Sequence, residues 1–259
     1  LAGAVVASAR ADHRGAAGPS DGSAQRLDIE GLRGVAIALV VLYHAGVPLP
    51  GGFIGVDVFL VISGFLITGL LLREVERTGR VSLGRFYARR IRRLLPAAAV
   101  VLAVTAVAAA LALPPVDVPQ ALGDGASAAL SVANLRFAAA AGDYFAAAGP
   151  PSPFLHFWSL SLEEQFYLVW PLLLLVIAAR PGVVRAGRVR LAAGLVLLAL
   201  IAVGLVASVV LTDQSAQLAF YGLPARAWQF AVGGLLATAA RPISRLPRLL
   251  VALAGWAGA

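Results

Sequence analysis

Apolar stretches of bilayer length, separated by short arginine-rich loops, constrain this chain most. Six of them cover roughly residues 32–49, 53–72, 94–113, 159–179, 191–211 and 225–240. A helix needs about 20 predominantly apolar residues to cross a bilayer. Lipid satisfies no backbone polar group, so only helices and closed barrels cross it. The runs are continuous rather than alternating, which excludes barrel strands. Composition agrees: 60% of residues are hydrophobic and 13% charged, against about 25% charged in a soluble domain. The expected fold class is all-α, a polytopic transmembrane helical bundle. Residues 121–141 are Ala-rich and read as a further span or as an amphipathic outer helix, and 249–259 begin as another span and then stop. With these two the count reaches about seven to eight spanning segments.

Loop charge orients the bundle. The 73–93 loop carries eight arginines, the 180–190 loop carries Arg180, Arg185, Arg188 and Arg190, and the 241–248 loop carries Arg241, Arg245 and Arg248. Short arginine-rich loops stay in the cytoplasm. All three share one side with the N-terminus only if 121–141 does not cross, and that is the expected topology in a multi-pass cell (inner or plasma) membrane protein. Residues 114–158 then form one outer excursion, with Asp117, Asp124 and Asp143 and with Arg136 as its only strong base. Residues 1–25, rich in Ala, Gly, Ser and Asp, are expected to be a disordered cytoplasmic tail, and 26–259 the membrane domain. The tail lacks the pattern of a signal peptide. The net charge of +8 does not point to nucleic acid, because the arginines sit in the orienting loops. Cysteine is absent, which excludes disulfides, a thiolate nucleophile and a thiolate metal site. His13, His44 and His156 are too scattered for a metal cluster, and no metal is expected.

Polar residues inside apolar runs are costly and mark candidate sites. Arg33 and His44 share the first run, eleven residues apart. Eleven helical steps return to nearly the same face, about 16 Å along the axis. The plainer alternative is that Arg33 snorkels to the interface and His44 bonds a neighbouring helix. Asp57, near the outer end of the second run, needs a partner. His44 on the adjacent antiparallel helix would serve and would gain basicity as a general base, or Asp57 caps its own helix. Ser63 and Gly64 permit close helix approach. Arg89, Arg90, Arg92 and Arg93 suit membrane anchoring, anionic lipid heads, or a polyphosphate ligand such as coenzyme A. The stretch FLHFWSLSLEEQFYLVW places Trp158, Ser161, Glu163, Glu164 and Gln165 at the mouth of a span. Ser161 reads as a helix cap. Adjacent glutamates point about 100° apart, so at least one faces the interior. An outer cleft of this kind would suit a hydroxylated acceptor. Arg226, Trp228 and Gln229 enter from outside, and Arg226 would pair with Glu163 or Glu164.

Taken in order, LDIEGLRGVAIALVVLYHAG, GVDVFLVISGFLITGLLL, FYARRIRRLLPA, FLHFWSLSLEEQFYLVWPLLL and FYGLPARAWQFAVGGLLA resemble the motifs of the acyltransferase-3 family over residues 26–240. The resemblance implies transfer of an acyl group, usually acetyl from cytoplasmic acetyl-CoA, to a hydroxyl of an extracytoplasmic glycan or cell-envelope polysaccharide. It ties Arg89, Arg90 and Arg93 to the donor, and Arg33 and His44 to catalysis. With it, the expected catalytic set is His44, Arg33, Asp57, Glu163 and Glu164. The expected acceptor set is Trp158, Ser161, Gln165, Arg226 and Trp228, with membrane lipids as further partners. Two departures stand out. Gln229 occupies a position where the family commonly has glutamate, and there are fewer spans than is usual, as in a C-terminally truncated copy. The competing readings are a transporter that uses Arg33 and His44 for ion coupling, and a non-catalytic fragment.

Overall fold

A computed structural model describes residues 27–48, 50–140, 151–185 and 187–244. The expected tail at 1–25, Asp143, Arg245, Arg248 and the stretch 249–259 lie outside the described residues. Within them the chain is helical and has no strand. The long helices are α1 (Leu27–His44), α2 (Ile54–Thr78), α3 (Leu83–Ala112), α6 (Phe157–Ala178), α8 (Val189–Gln214) and α10 (Leu223–Ser244). The short ones are α4 (Val118–Ala129), α5 (Ala133–Ala140), α7 (Pro181–Arg185) and α9 (Ala216–Tyr221).

Four helices, α2, α3, α6 and α8, are long and apolar enough to cross a membrane. The described residues thus form the all-α membrane bundle that the sequence leads one to expect. The other two long helices are more polar: α1 holds Asp28, Glu30 and Arg33, and α10 opens with Arg226 and Gln229. The 121–141 stretch contributes no span. It breaks into α4, with 12 residues, and α5, with 8, which reach only about 18 Å and 12 Å. Between them Ser131 takes a left-handed backbone at φ 57°. The turn is pinned to α6, where Gln165 Nε2 donates to the Ser131 carbonyl at 2.9 Å and the Ala133 N–H donates to Ser161 Oγ at 3.3 Å. Backbone that leaves a helix inside a membrane protein must find such partners. The pair is a hairpin that dips beside α3 and α6 and returns. Arg136 Nε on α5 locks it to the buried Asp124 of α4 at 2.5 Å.

The core lies among α2, α6, α8 and α10. Leu60, Leu71, Leu72, Trp170, Leu174, Leu197 and Phe230 are fully buried there. Phe166 stacks on Phe230, with centroids 4.4 Å apart. Glycine sets the α2–α10 distance: a Cβ on Gly64 would collide with the Phe230 carbonyl, and one on Gly233 with the Val61 carbonyl. Small residues allow this backbone approach where lipid gives helices no hydrophobic reason to associate. A second cluster, around Phe137, Phe154 and Phe157, holds the hairpin against α6. Helix α3 is the outlier, because Phe86 and Ala109 are its only buried residues.

Candidate active site

Three polar clusters sit on this frame. The innermost joins α2, α6 and α3. Ser63 Oγ donates to Glu163 Oε1 at 2.5 Å, and Tyr167 OH donates to the same oxygen at 2.6 Å. Glu163 is buried, 5% exposed. One helical step on, Glu164 faces α3 instead and takes Arg90 in a fork, with Nη2 at 2.6 Å and Nε at 3.1 Å. The Arg90 guanidinium lies 3.5 Å over the Tyr167 ring, a cation–π contact. The glutamates thus face different neighbours, as a step of about 100° allows. The Ser63 contact crosses a hundred residues of sequence, and nothing local announces it.

Arg90 separates from its neighbours in the basic run. Arg89 and Arg93 are exposed, one helical turn apart, and form no ion pair among the described residues. Arg92 folds back onto the Ala88 carbonyl. Beside Arg90 an apolar cavity of about 510 Å³ opens between α3, the hairpin and α6, lined by Leu95, Ala98, Ala129, Ser131 and Leu160.

A second cluster, which the loop charges predict to lie at the outer end, joins α2 and α10. Asp57 Oδ1 accepts from Arg226 Nη1 at 2.7 Å and from Gln229 Nε2 at 2.7 Å. This corrects two expectations. Asp57 pairs with Arg226 rather than His44, and Arg226 pairs with Asp57 rather than with either glutamate. The cause is that α2 and α10 run together at the contact their glycines permit. Arg226 also lies over the rings of Trp158 and Phe220, at 5.1 and 4.8 Å from their centroids. Trp228 and Gln229 line a second groove of about 480 Å³ between α1, α2 and α10.

His44 ends α1 and is exposed. Its Nδ1 lies 2.8 Å from the Val40 carbonyl. A carbonyl only accepts, so Nδ1 carries the hydrogen, and in the neutral ring Nε2 is left with a bare lone pair. Arg33, half-buried, lies 5.3 Å from the Phe59 ring centroid on α2. At the N-terminus of α6, His156 packs at a tilt against Phe157, with centroids 4.6 Å apart. Burial there, helped by the charge of nearby His44, holds its imidazole below the ordinary histidine range, against a hydrogen bond with the Pro153 backbone.

Two expected acceptor residues are occupied elsewhere. Helix α6 starts at Phe157, so Ser161 is no cap; its Oγ receives the Ala133 N–H. Gln165 spends its amide on Ser131 and on Asn134 Oδ1 at 2.8 Å. Asn134, fully buried, extends this brace to the Tyr221 carbonyl at 3.0 Å. Its signal in the sequence is one asparagine in an Ala-rich stretch.

The acyltransferase domain family matches residues 26–259. Peptidoglycan O-acetyltransferase OatA of Listeria monocytogenes is 42% identical over 149 residues, which is 57% of this chain and 24% of that protein. YrhL of Bacillus subtilis, provisionally named for the same activity, is 36% identical over 211 residues, 81% of this chain and 32% of its own length. A Staphylococcus aureus protein provisionally named an O-acetyltransferase is 41% identical over 150 residues, 58% of this chain and 24% of its own. The chain matches about a quarter to a third of the length of these curated relatives. No solved structure matches it.

Proposed function

The chain belongs to the acyltransferase domain family, and from that premise we propose that it is the membrane part of an O-acyltransferase that moves an acetyl group from acetyl-CoA to a hydroxyl of a cell-envelope glycan. The observation that carries the proposal is the 2.8 Å contact of His44 Nδ1 with the Val40 carbonyl. With Nδ1–H held by the Val40 carbonyl, Nε2 is the free acceptor that general-base catalysis of acyl transfer needs. The acceptor hydroxyl loses its proton to Nε2 as its oxygen attacks the thioester carbonyl carbon. The new C–O bond forms, the C–S bond breaks, and the imidazolium returns the proton to the leaving thiolate. Products are the ester and the free thiol.

Arg89 and Arg93 present an exposed pair of guanidinium forks for the donor's phosphates. Arg90, expected with them, is engaged by Glu164 and Tyr167, so its part is to hold α3 in place. The bias of short arginine-rich loops toward the cytoplasm supports a reading with this end inside and the His44 end outside. The glycan acceptor is supported by the name of OatA, and the outer cluster of Trp158, Arg226 and Trp228 is where it would sit.

The test is thiol release from acetyl-CoA by membranes that contain the chain, with and without His44→Ala. Release that falls by 100-fold or more, about the size of a general-base contribution, with membrane insertion intact, is the expected result. Undiminished release in the mutant removes His44 from the chemistry.

A further inference from the structure

Gln229 holds an unspent hydrogen-bond acceptor. The Asp57 carboxylate can only accept, so the Gln229 atom 2.7 Å away is the amide nitrogen, and the amide oxygen points elsewhere. That Oε1 is buried and meets no donor, and the residue is 5% exposed. Leaving a buried polar atom unpaired costs about as much as losing a hydrogen bond, so such atoms in native sites call for an explanation. Asp57 adds to the imbalance. Arg226 and Gln229 both bond its Oδ1, and among the described residues no donor reaches Oδ2. Gln229 and Asp57 both line the groove between α1, α2 and α10, whose other walls include Leu32, Val58, Val61 and Trp228.

We propose that Gln229 Oε1 and Asp57 Oδ2 form a hydroxyl-recognition pair for the acceptor at the outer end of this groove. Both atoms accept and neither donates, so the fitting ligand presents neutral O–H groups. An anion is disfavoured, because Arg226, the cation bonded to this pair, is already neutralised by Asp57. The apolar walls and the Trp228 side chain suit the carbon face of a sugar ring, whose hydroxyls then reach the two acceptors. A site built to bond a hydroxyl rejects analogues that lack it far more strongly than an apolar pocket does. Glutamine at 229 leaves the pair with one charge and two acceptors. The inference rests on the acyltransferase reading for the acceptor's identity, but its test does not depend on acyl transfer.

The experiment uses the full chain in detergent, with the β-1,4-linked tetramer of N-acetylglucosamine as the glycan probe and acetyl-CoA as the second ligand, each followed by equilibrium dialysis. Gln229→Leu is expected to weaken tetrasaccharide binding about tenfold, the effect of one lost hydrogen bond, and to leave acetyl-CoA binding unchanged. Leu32→Trp narrows the groove from α1 without touching the pair and is expected to weaken the tetrasaccharide as well, so a folding defect in one variant cannot carry the result. His44→Ala should bind the tetrasaccharide normally while thiol release is lost, which separates failure of the pair from failure of the chemistry. Unchanged tetrasaccharide binding in Gln229→Leu, loss of acetyl-CoA binding instead, or no tetrasaccharide binding by the unaltered chain overturns the proposal.

Discussion

Glu163 and Glu164 are neighbours in sequence with opposite duties, and the difference follows from one helical step. Glu163 gathers two hydroxyls inside the bundle; Glu164 reaches out to hold α3. Ser63→Ala removes one donor and leaves Tyr167 in place, so a loss of about 1 kcal/mol is expected, read as a small drop in the thermal midpoint in detergent. Glu163→Leu strands both hydroxyls and should cost more, about 1–3 kcal/mol for each. At the start of α6, His156 adds a pH dependence. Its neutral form is favoured in the fold, so the stability it contributes is full above the ordinary histidine pKa of about 6.5 and is lost as pH falls through the lower folded value. Acidification from about pH 7.5 to 5 should therefore lower the thermal midpoint of the unaltered chain more than that of His156→Gln. At this scale the sequence shows which residues are out of place in an apolar run and is silent about their partners. Asp57 plainly needed a cation; that the cation is Arg226, on a helix 169 residues away, depends on how α2 meets α10. Gln165 and Ser161 carry the right atoms for an acceptor but spend them on the hairpin.

Helix α3 packs mainly on α4 and is tied to α6 by a few polar contacts of Tyr87 and Arg90. Its apolar length leaves it nearly uncovered by the rest of the described chain, and the Arg90 fork on Glu164, with the Tyr167 ring beneath, is its main polar tie to α6. Arg90→Glu or Glu164→Arg alone places like charges in a half-buried site and is expected to cost about 2–3 kcal/mol. The double reversal should recover a good part of this, and a cysteine crosslink between α3 and α6 would report the restored contact. Equal destabilisation in all three variants would mean that the pair does not hold α3. Existence and length of the long helices were legible, because continuous apolar runs of bilayer length admit little else. Their edges were less so. The basic run before residue 94 reads as a loop by charge, yet Phe86, Tyr87 and Ile91 carry α3 back to Leu83, and arginine is a good helix former. The 121–141 stretch was ambiguous for the opposite reason: alanine favours helix but inserts weakly, and only the contacts with α6 bend it into a hairpin.

At the scale of the whole molecule, the arrangement tests its own topology. Helices α3 and α6 run antiparallel, since Tyr87 meets the Leu168 carbonyl while Leu102, half the helix further along α3, packs near Phe157 at the start of α6. The hairpin returns to the end where α3 stops and α6 begins, because Leu113, Asp117 and Pro151–Pro153 face one another there. Helices α8 and α10 are antiparallel too, with Gly204 against Trp228 and Gly194 near Thr238. Together these contacts put the α2–α3 and α7–α8 turns at one end and the α3–α4 and α8–α9 turns at the other. The arginines are concentrated at the first end, so that end is expected in the cytoplasm. The chain has no cysteine, and single introduced cysteines can therefore be labelled without background. Arg80→Cys and Arg188→Cys should react with an impermeant maleimide only after the cells are opened, whereas Val116→Cys, 82% exposed, and Asp213→Cys should react in intact cells. Reaction of Arg80→Cys and Arg188→Cys from opposite sides would mean that 121–141 crosses after all. Trp158 and Arg226 would then no longer lie on the face opposite Arg89 and Arg93, and the proposed route from a cytoplasmic thioester to an external hydroxyl would be lost.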